Sequence, residues 1–147
     1  MSEPAGRDGF ESVARMLEAD VASSAVGIEL VDLGLGTATV RMTLRDDMVN
    51  GHAIGHGGYV FLLADTAFAC ACNTHGPVTV AAGADINFLM PVHAGDQLSA
   101  RAVERIRQGR SGIYDVTVSR GADVVAEFRG RSRSLRDGSG IVGAAPH

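Results

Sequence analysis

Apolar residues recur at helical spacing over residues 9–22, where Phe10, Val13, Met16, Leu17 and Val21 predict a short amphipathic helix with one face in water. Two alternating runs follow, "AVGIELVDLG" and "GTATVRMTL", separated by Gly34 to Gly36, which is the pattern of a β-hairpin. Residues 45–57 form a polar, glycine-punctuated loop. The apolar run from Gly57 to Asn73 is too long for an ordinary strand and predicts a helix buried on nearly all sides. Ala64, Ala67, Ala69 and Ala71 favour helix, while Asn73, His75, Gly76 and Pro77 stop it.

After Pro77 the period changes to two, in "VTVAAGADINFLM", "DQLSARAVERIRQ", "SGIYDVTVSR" and "DVVAEFRGRSRSL". Turns at Gln108–Arg110 and Gly121–Asp123 join the last three as a meander. The predicted class is therefore α+β with an antiparallel sheet, in the order helix, two strands, long apolar helix, four strands. A helix apolar all round needs a sheet wrapped round it or a second subunit over it, so the pattern itself predicts self-association.

Length adds that residues 1–147 fit a single domain, with a core over about 25–134 and a tail at 136–147 that has little to bury and is expected to fray. With 17 acidic against 13 basic residues and a net charge of -4, the chain is not suited to a generic nucleic-acid or anionic-membrane surface. No signal-like start and no apolar run of about 20 residues is present, so no membrane span and a cytoplasmic location are expected. Cys70 and Cys72 lie two apart on the predicted helix, point about 200° apart, and read as small buried hydrophobes rather than a redox pair.

The segment "HGGYVFLLADTAFACACN" resembles the PaaI-type acyl-CoA thioesterases, the family named for phenylacetic acid degradation, whose hotdog fold curls an antiparallel sheet round a long central helix. The resemblance runs from about Ala25 to Ser134 and includes "INFLMPVHAGDQLSA", "RQGRSGIYDVTV" and "VAEFRGRS" in the same order. It implies hydrolysis of medium-chain or aromatic acyl-coenzyme A thioesters, of the phenylacetyl or hydroxyphenylacetyl type. It also implies dimers paired into homotetramers, no metal, and no cofactor beyond the coenzyme A of the substrate.

Such chemistry must polarise a thioester carbonyl while water or a carboxylate attacks it. The first N–H groups of a helix have no partner within it and carry the positive end of the dipole, so Gly57 and Gly58 are candidate oxyanion donors as well as a tight loop-to-helix passage. Asp65, among Leu62, Leu63, Ala64, Phe68 and Ala69, is the candidate general base or nucleophile; its bland role is capping a neighbouring backbone group or pairing with an arginine. Eight helical residues at about 1.5 Å each place Gly57 and Asp65 roughly 12 Å apart, too far to meet at one carbonyl. If two copies pack with their central helices antiparallel, Gly57 of one approaches Asp65 of the other.

Asn50 and His56 stand at the approach to the helix, where the family places active-site residues, although Asn-Gly is also a common turn and His56 a possible cap. His52 and His56 are four apart, but the glycines around them and the missing Glu speak against a metal site. Some relatives carry a Ser or Thr on the strand after the helix. Here "AAGAD", Ala81 to Asp85, has no hydroxyl, so if that support is needed either Thr66 or Asp85 supplies another contact or the rate suffers. Arg110, Arg129 and Arg131, with Arg133 alternating on the same strand face, are candidates for the phosphates of coenzyme A, or else a solvated face. Tyr59, Phe61, Leu62, Phe68 and Phe88 are candidate walls of an acyl pocket.

Two other functions use the same fold. A hydratase or dehydratase needs a His and an acid aimed at adjacent substrate carbons, and the nearby His lies in the glycine segment. A non-catalytic acyl-CoA-binding module has no need of Asp65 in an apolar run.

Overall fold

A computed structural model describes residues 7–135, so the expected tail at 136–147 lies outside the described residues. The elements are α1 (Arg7–Ala19), α2 (Val21–Ala25), β1 (Glu29–Gly34), β2 (Thr37–Thr43), α3 (Gly57–Cys72), β3 (Thr79–Phe88), β4 (Gln97–Gln108), β5 (Ser111–Arg120) and β6 (Asp123–Ser134). The strands form one antiparallel sheet in the order β1-β2-β4-β5-β6-β3. Consecutive strands β4, β5 and β6 are neighbours, as the short turns require, whereas β3 crosses to the far edge beside β6.

The sheet curls round α3, which packs against β2, β3, β4, β5 and β6. This is the hotdog fold. Alternation along each strand decides what faces the helix: Val40, Leu98, Val116, Val118, Ala126 and Phe128 point inward and are buried, while Arg41, Arg129 and Arg131 point outward. Phe68, fully buried, lies against Gly130 of β6, where an added Cβ would sit 2.7 Å from three ring atoms. Burying that ring contributes on the order of 2–3 kcal/mol and sets how closely helix and sheet approach.

Burial of α3 is graded along its length. From Leu63 to Cys72 every residue except Asp65 is buried, but Gly57, Tyr59, Phe61 and Leu62 are half-buried and Gly58 is exposed. The helix ends at Asn73, whose Nδ2 donates to Ala69 O at 2.8 Å and Thr79 O at 3.1 Å while its Oδ1 accepts from Thr79 N–H at 3.0 Å. One side chain thus closes the helix and starts β3. Cys70 and Cys72 are buried free thiols.

The single amphipathic helix expected over 9–22 is instead two. Asp20 leaves helical conformation and caps α2, which resets the helical phase. Val13 is fully buried as the pattern requires, but Phe10 is 46% exposed and Val21 79% exposed, and the buried residue of α2 is Ser23.

Candidate active site

The loop before α3 is held by backbone bonds and one side chain. His56 N–H donates to Met48 O at 2.8 Å and Gly55 N–H to Val92 O at 2.6 Å. Gly55 permits that approach, because a Cβ there would lie 2.5 Å from Val92 Cγ2 and 2.9 Å from Leu44 Cδ1. Asn50 Oδ1 accepts from His52 N–H at 2.9 Å and Ile54 N–H at 3.3 Å, an Asx-type turn that brings Ala53 into a left-handed conformation with φ of 61°. The turn role of Asn50 is therefore real. It consumes the carbonyl oxygen and directs the side-chain Nδ2, which has no protein partner among the described residues, to other use.

His56 is the N-cap of α3, and its Nδ1 accepts the Gly58 N–H at 2.9 Å. Nδ1 must be unprotonated to accept, so the ring proton is on Nε2, on an exposed side chain. With Gly58 N–H taken by the cap, the amide of the pair left without a partner among the described residues is that of Gly57. Gly57, Asn50 and Phe88 line one cavity of about 470 Å³ with Ile54, Gly55, Val60, Leu89, Met90, Pro91, Val92 and Val125. Its lining is largely apolar. The Phe88 ring lies across the helix start, with Cζ 2.9 Å from where a Cβ on Gly57 would be. The segment Leu89–Val92 belongs to "INFLMPVHAGDQLSA", which carries part of the resemblance, but only Phe88 of that stretch is named from the sequence as a pocket wall.

Asp65 lies eight residues along the same helix and is half-buried. Burial, and secondly the negative charge of Asp20, push its carboxyl up from 3.8 to about 6. A carboxylate in that range is ionised at neutral pH yet basic enough to take a proton. Within one chain the helix keeps it about 12 Å from Gly57.

Thr66 and Asp85, the two suggested replacements for the missing strand hydroxyl, both have partners within the chain. Thr66 Oγ1 is 2.8 Å from Leu62 O and 2.9 Å from Ser23 Oγ. Asp85 is on the outer face of the sheet, 2.9 Å from Arg131 Nη1.

The arginines also occupy that outer face, with the sheet between them and α3. Arg129 makes a two-pronged pair with Asp115 at 2.7 and 2.9 Å. Arg131 and Arg133 border a second cavity of about 430 Å³ with Ile106, Gln108, Ser111 and Ile113, and Arg110 sits in the β4–β5 turn at the same end of the sheet. Among the described residues no three His, Cys, Asp or Glu side chains group as a metal site, and no helix is long and apolar enough to cross a membrane.

Residues 52–127 match the thioesterase superfamily model, a span that takes in the Gly57 amide, Asp65 and most of the sheet. The chain belongs to that superfamily and is a thioester hydrolase on the hotdog fold. Within the family it is similar to PaaI. It is 42% identical to the acyl-coenzyme A thioesterase PaaI of Escherichia coli (strain K12) over 137 residues, covering 92% of this chain and 96% of that protein. The E. coli PaaI structure superposes with a TM-score of 0.86 at 39% identity, covering 90% of this chain and 96% of that one. A mutant structure of the phenylacetic acid degradation protein PaaI from Thermus thermophilus gives a TM-score of 0.77 at 37% identity, covering 79% and 100%.

Proposed function

We propose that this chain hydrolyses acyl-coenzyme A thioesters with medium-chain or aromatic acyl groups, including phenylacetyl and hydroxyphenylacetyl thioesters, to the free acid and coenzyme A. The observation that carries the reading is Asp65 itself, an ionisable group on an otherwise buried stretch of α3, on the same helix as the Gly57 amide, which has no partner among the described residues and borders an apolar cavity. The names of the E. coli and T. thermophilus relatives support the substrate class.

The thioester carbonyl oxygen accepts from Gly57 N–H, with Asn50 Nδ2 and His56 Nε2–H near enough to the helix start to orient the thioester or a water. Asp65 of a second copy takes the proton from water as it attacks, or attacks the carbonyl itself to form a mixed anhydride that water then cleaves. In either case the coenzyme A thiolate leaves and is protonated. One oxyanion donor is worth about 3 kcal/mol of barrier.

Antiparallel pairing of two central helices brings the two groups together and makes two identical sites. The half-open start of α3 and β3, which bonds to β6 on one side and forms the edge of the sheet on the other, support a second chain at this place. Pairing of such dimers into tetramers, and coenzyme A phosphates on Arg110, Arg131 or Arg129, extend the same proposal; Arg129 would have to give up or share Asp115.

Colorimetric detection of free thiol across a panel of acyl-CoAs tests the reading. Release of thiol with the highest kcat/KM on aromatic or medium-chain thioesters is expected. No release from any of them, with the ligand bound or hydrated instead, would overturn it.

A further inference from the structure

Three side chains link α2 to α3 through the interior. Asp20 Oδ1 accepts from Ser23 N–H at 2.9 Å, and its Oδ2 accepts from Ser23 O–H at 2.6 Å. Ser23, 3% exposed, in turn stands 2.9 Å from Thr66 Oγ1 on α3, which is 2.8 Å from Leu62 O. Hydroxyl protons set the direction of this chain. Ser23 donates its one proton to Asp20 and Thr66 donates its own to Leu62 O, so Ser23 holds the carboxylate while its oxygen rests 2.9 Å from the Thr66 oxygen on α3.

Thr66 is one residue from Asp65 on α3, so Asp20, held by Ser23 against Thr66, lies next to the turn of the helix that carries the proposed base, and its charge reaches that carboxyl through space. We propose that Asp20 is a positioning residue for thioester hydrolysis: anchored by Ser23 and Thr66 against α3, its charge sets the pH at which Asp65 becomes available as a base.

The inference rests on Asp65 being the base, as proposed above. Asp20 touches no substrate in it. On α3, burial pushes both cysteine thiols up, Cys70 to about 12, so they stay neutral while Asp65 titrates; Cys72 also feels the charge of Asp65, and Cys70 that of Asp20. From α2 the group is Asp20, whose negative charge raises Asp65 and Cys70 alike. Removing that charge must make Asp65 more acidic.

Asp20→Asn tests this in the full chain, because Asn caps helices about as well as Asp and keeps an oxygen for Ser23 N–H. Asp20→Ser, another good cap, replaces it should the first variant fail to fold. Two readouts are taken over about pH 4.5 to 9: kcat/KM for thiol release, and the carbon-13 shift of the Asp65 carboxyl. Both midpoints are expected to move down by at least about half a pH unit, with KM at high pH little changed.

If both stay in place, Asp20 is only a helix cap and the proposal is overturned, whatever happens to the melting temperature. If the carboxyl midpoint moves and the kinetic limb does not, the coupling between Asp20 and Asp65 is upheld. It is then the reading of Asp65 as the base that falls.

Discussion

Asp65→Asn removes a charge and preserves the shape of the side chain. Burial first, and Asp20 second, raise the Asp65 carboxyl from 3.8 to about 6. At about 1.4 kcal/mol per pH unit, that gap of roughly two units is about 3 kcal/mol by which the fold disfavours the ionised form. A carboxyl whose folded value is raised contributes its stability in full below the unfolded value and loses it as pH rises through the folded one. Wild type therefore loses stability relative to the Asn variant between about pH 4 and 6, and the difference is constant above that. Partial solvent screening of a half-buried group, and the need of the Asn amide for partners, reduce the expected gain to about 1–2 kcal/mol. For a chain of this size that is roughly 3–6 °C in Tm. Thermal melts at stepped pH supply the assay, run beside thiol release, where kcat is expected to fall by at least about a hundredfold. A variant that melts below wild type at neutral pH, or a stability difference that is flat with pH, would refute the reasoning even if activity is lost.

Gly57→Ala places a methyl group 2.9 Å from Phe88 Cζ and 3.2 Å from Cε1; because Phe88 is 55% exposed its ring can swing aside. Little change in Tm is expected, with kcat/KM lowered at least about tenfold as methyl and ring crowd the amide; unaltered kinetics would remove Gly57 from the site. Tyr114→Phe deletes the hydroxyl that donates to Glu104 Oε1 at 2.6 Å, an oxygen that His75 Nε2 also reaches at 2.7 Å. Burial alone would raise Glu104, but the bonds from Tyr114 and His75 outweigh it and hold its carboxyl below the usual range. A loss of about 1–2 kcal/mol by chemical denaturation is expected, with thiol release intact; a neutral effect would show that this partly buried trio contributes nothing.

Much of this was legible because it is periodic. Two-residue alternation marked the inward and outward faces of β4, β5 and β6, including the row of arginines, and an unbroken apolar run marked α3 between Gly57 and Asn73. Placement of β3 beside β6 was not, since nothing in "VTVAAGADINF" names a partner dozens of residues further along the chain. Nor was the break at Asp20, where one carboxylate bonding Ser23 N–H outweighs the helical spacing that runs through to Val21. The pattern D-x-x-S was the available signal for that cap. Asn50 and His56 show the same limit within the site. Their bland roles, turn and cap, are real, and each leaves one nitrogen over, a division set by hydrogen-bond geometry and not by residue type.

The cost of Asp65 and the looseness of the start of α3 have one physical origin. A helix enclosed on every side by its own sheet could not offer an ionisable group to a substrate, and one open along its whole length would leave apolar surface in water. In this chain, closure is complete from Leu63 onward except at Asp65, while Gly57, Tyr59, Phe61 and Leu62 remain half-covered beside the exposed Phe88, Leu89 and Met90. Exposed apolar surface next to the edge strand β3 is costly for a single chain. In the proposed pair that surface lies where the second helix arrives, so burial gained there offsets the stability lost at Asp65. A monomer-forming substitution at Phe88 or Leu89 should accordingly lower stability and abolish turnover together, because the same contact supplies both.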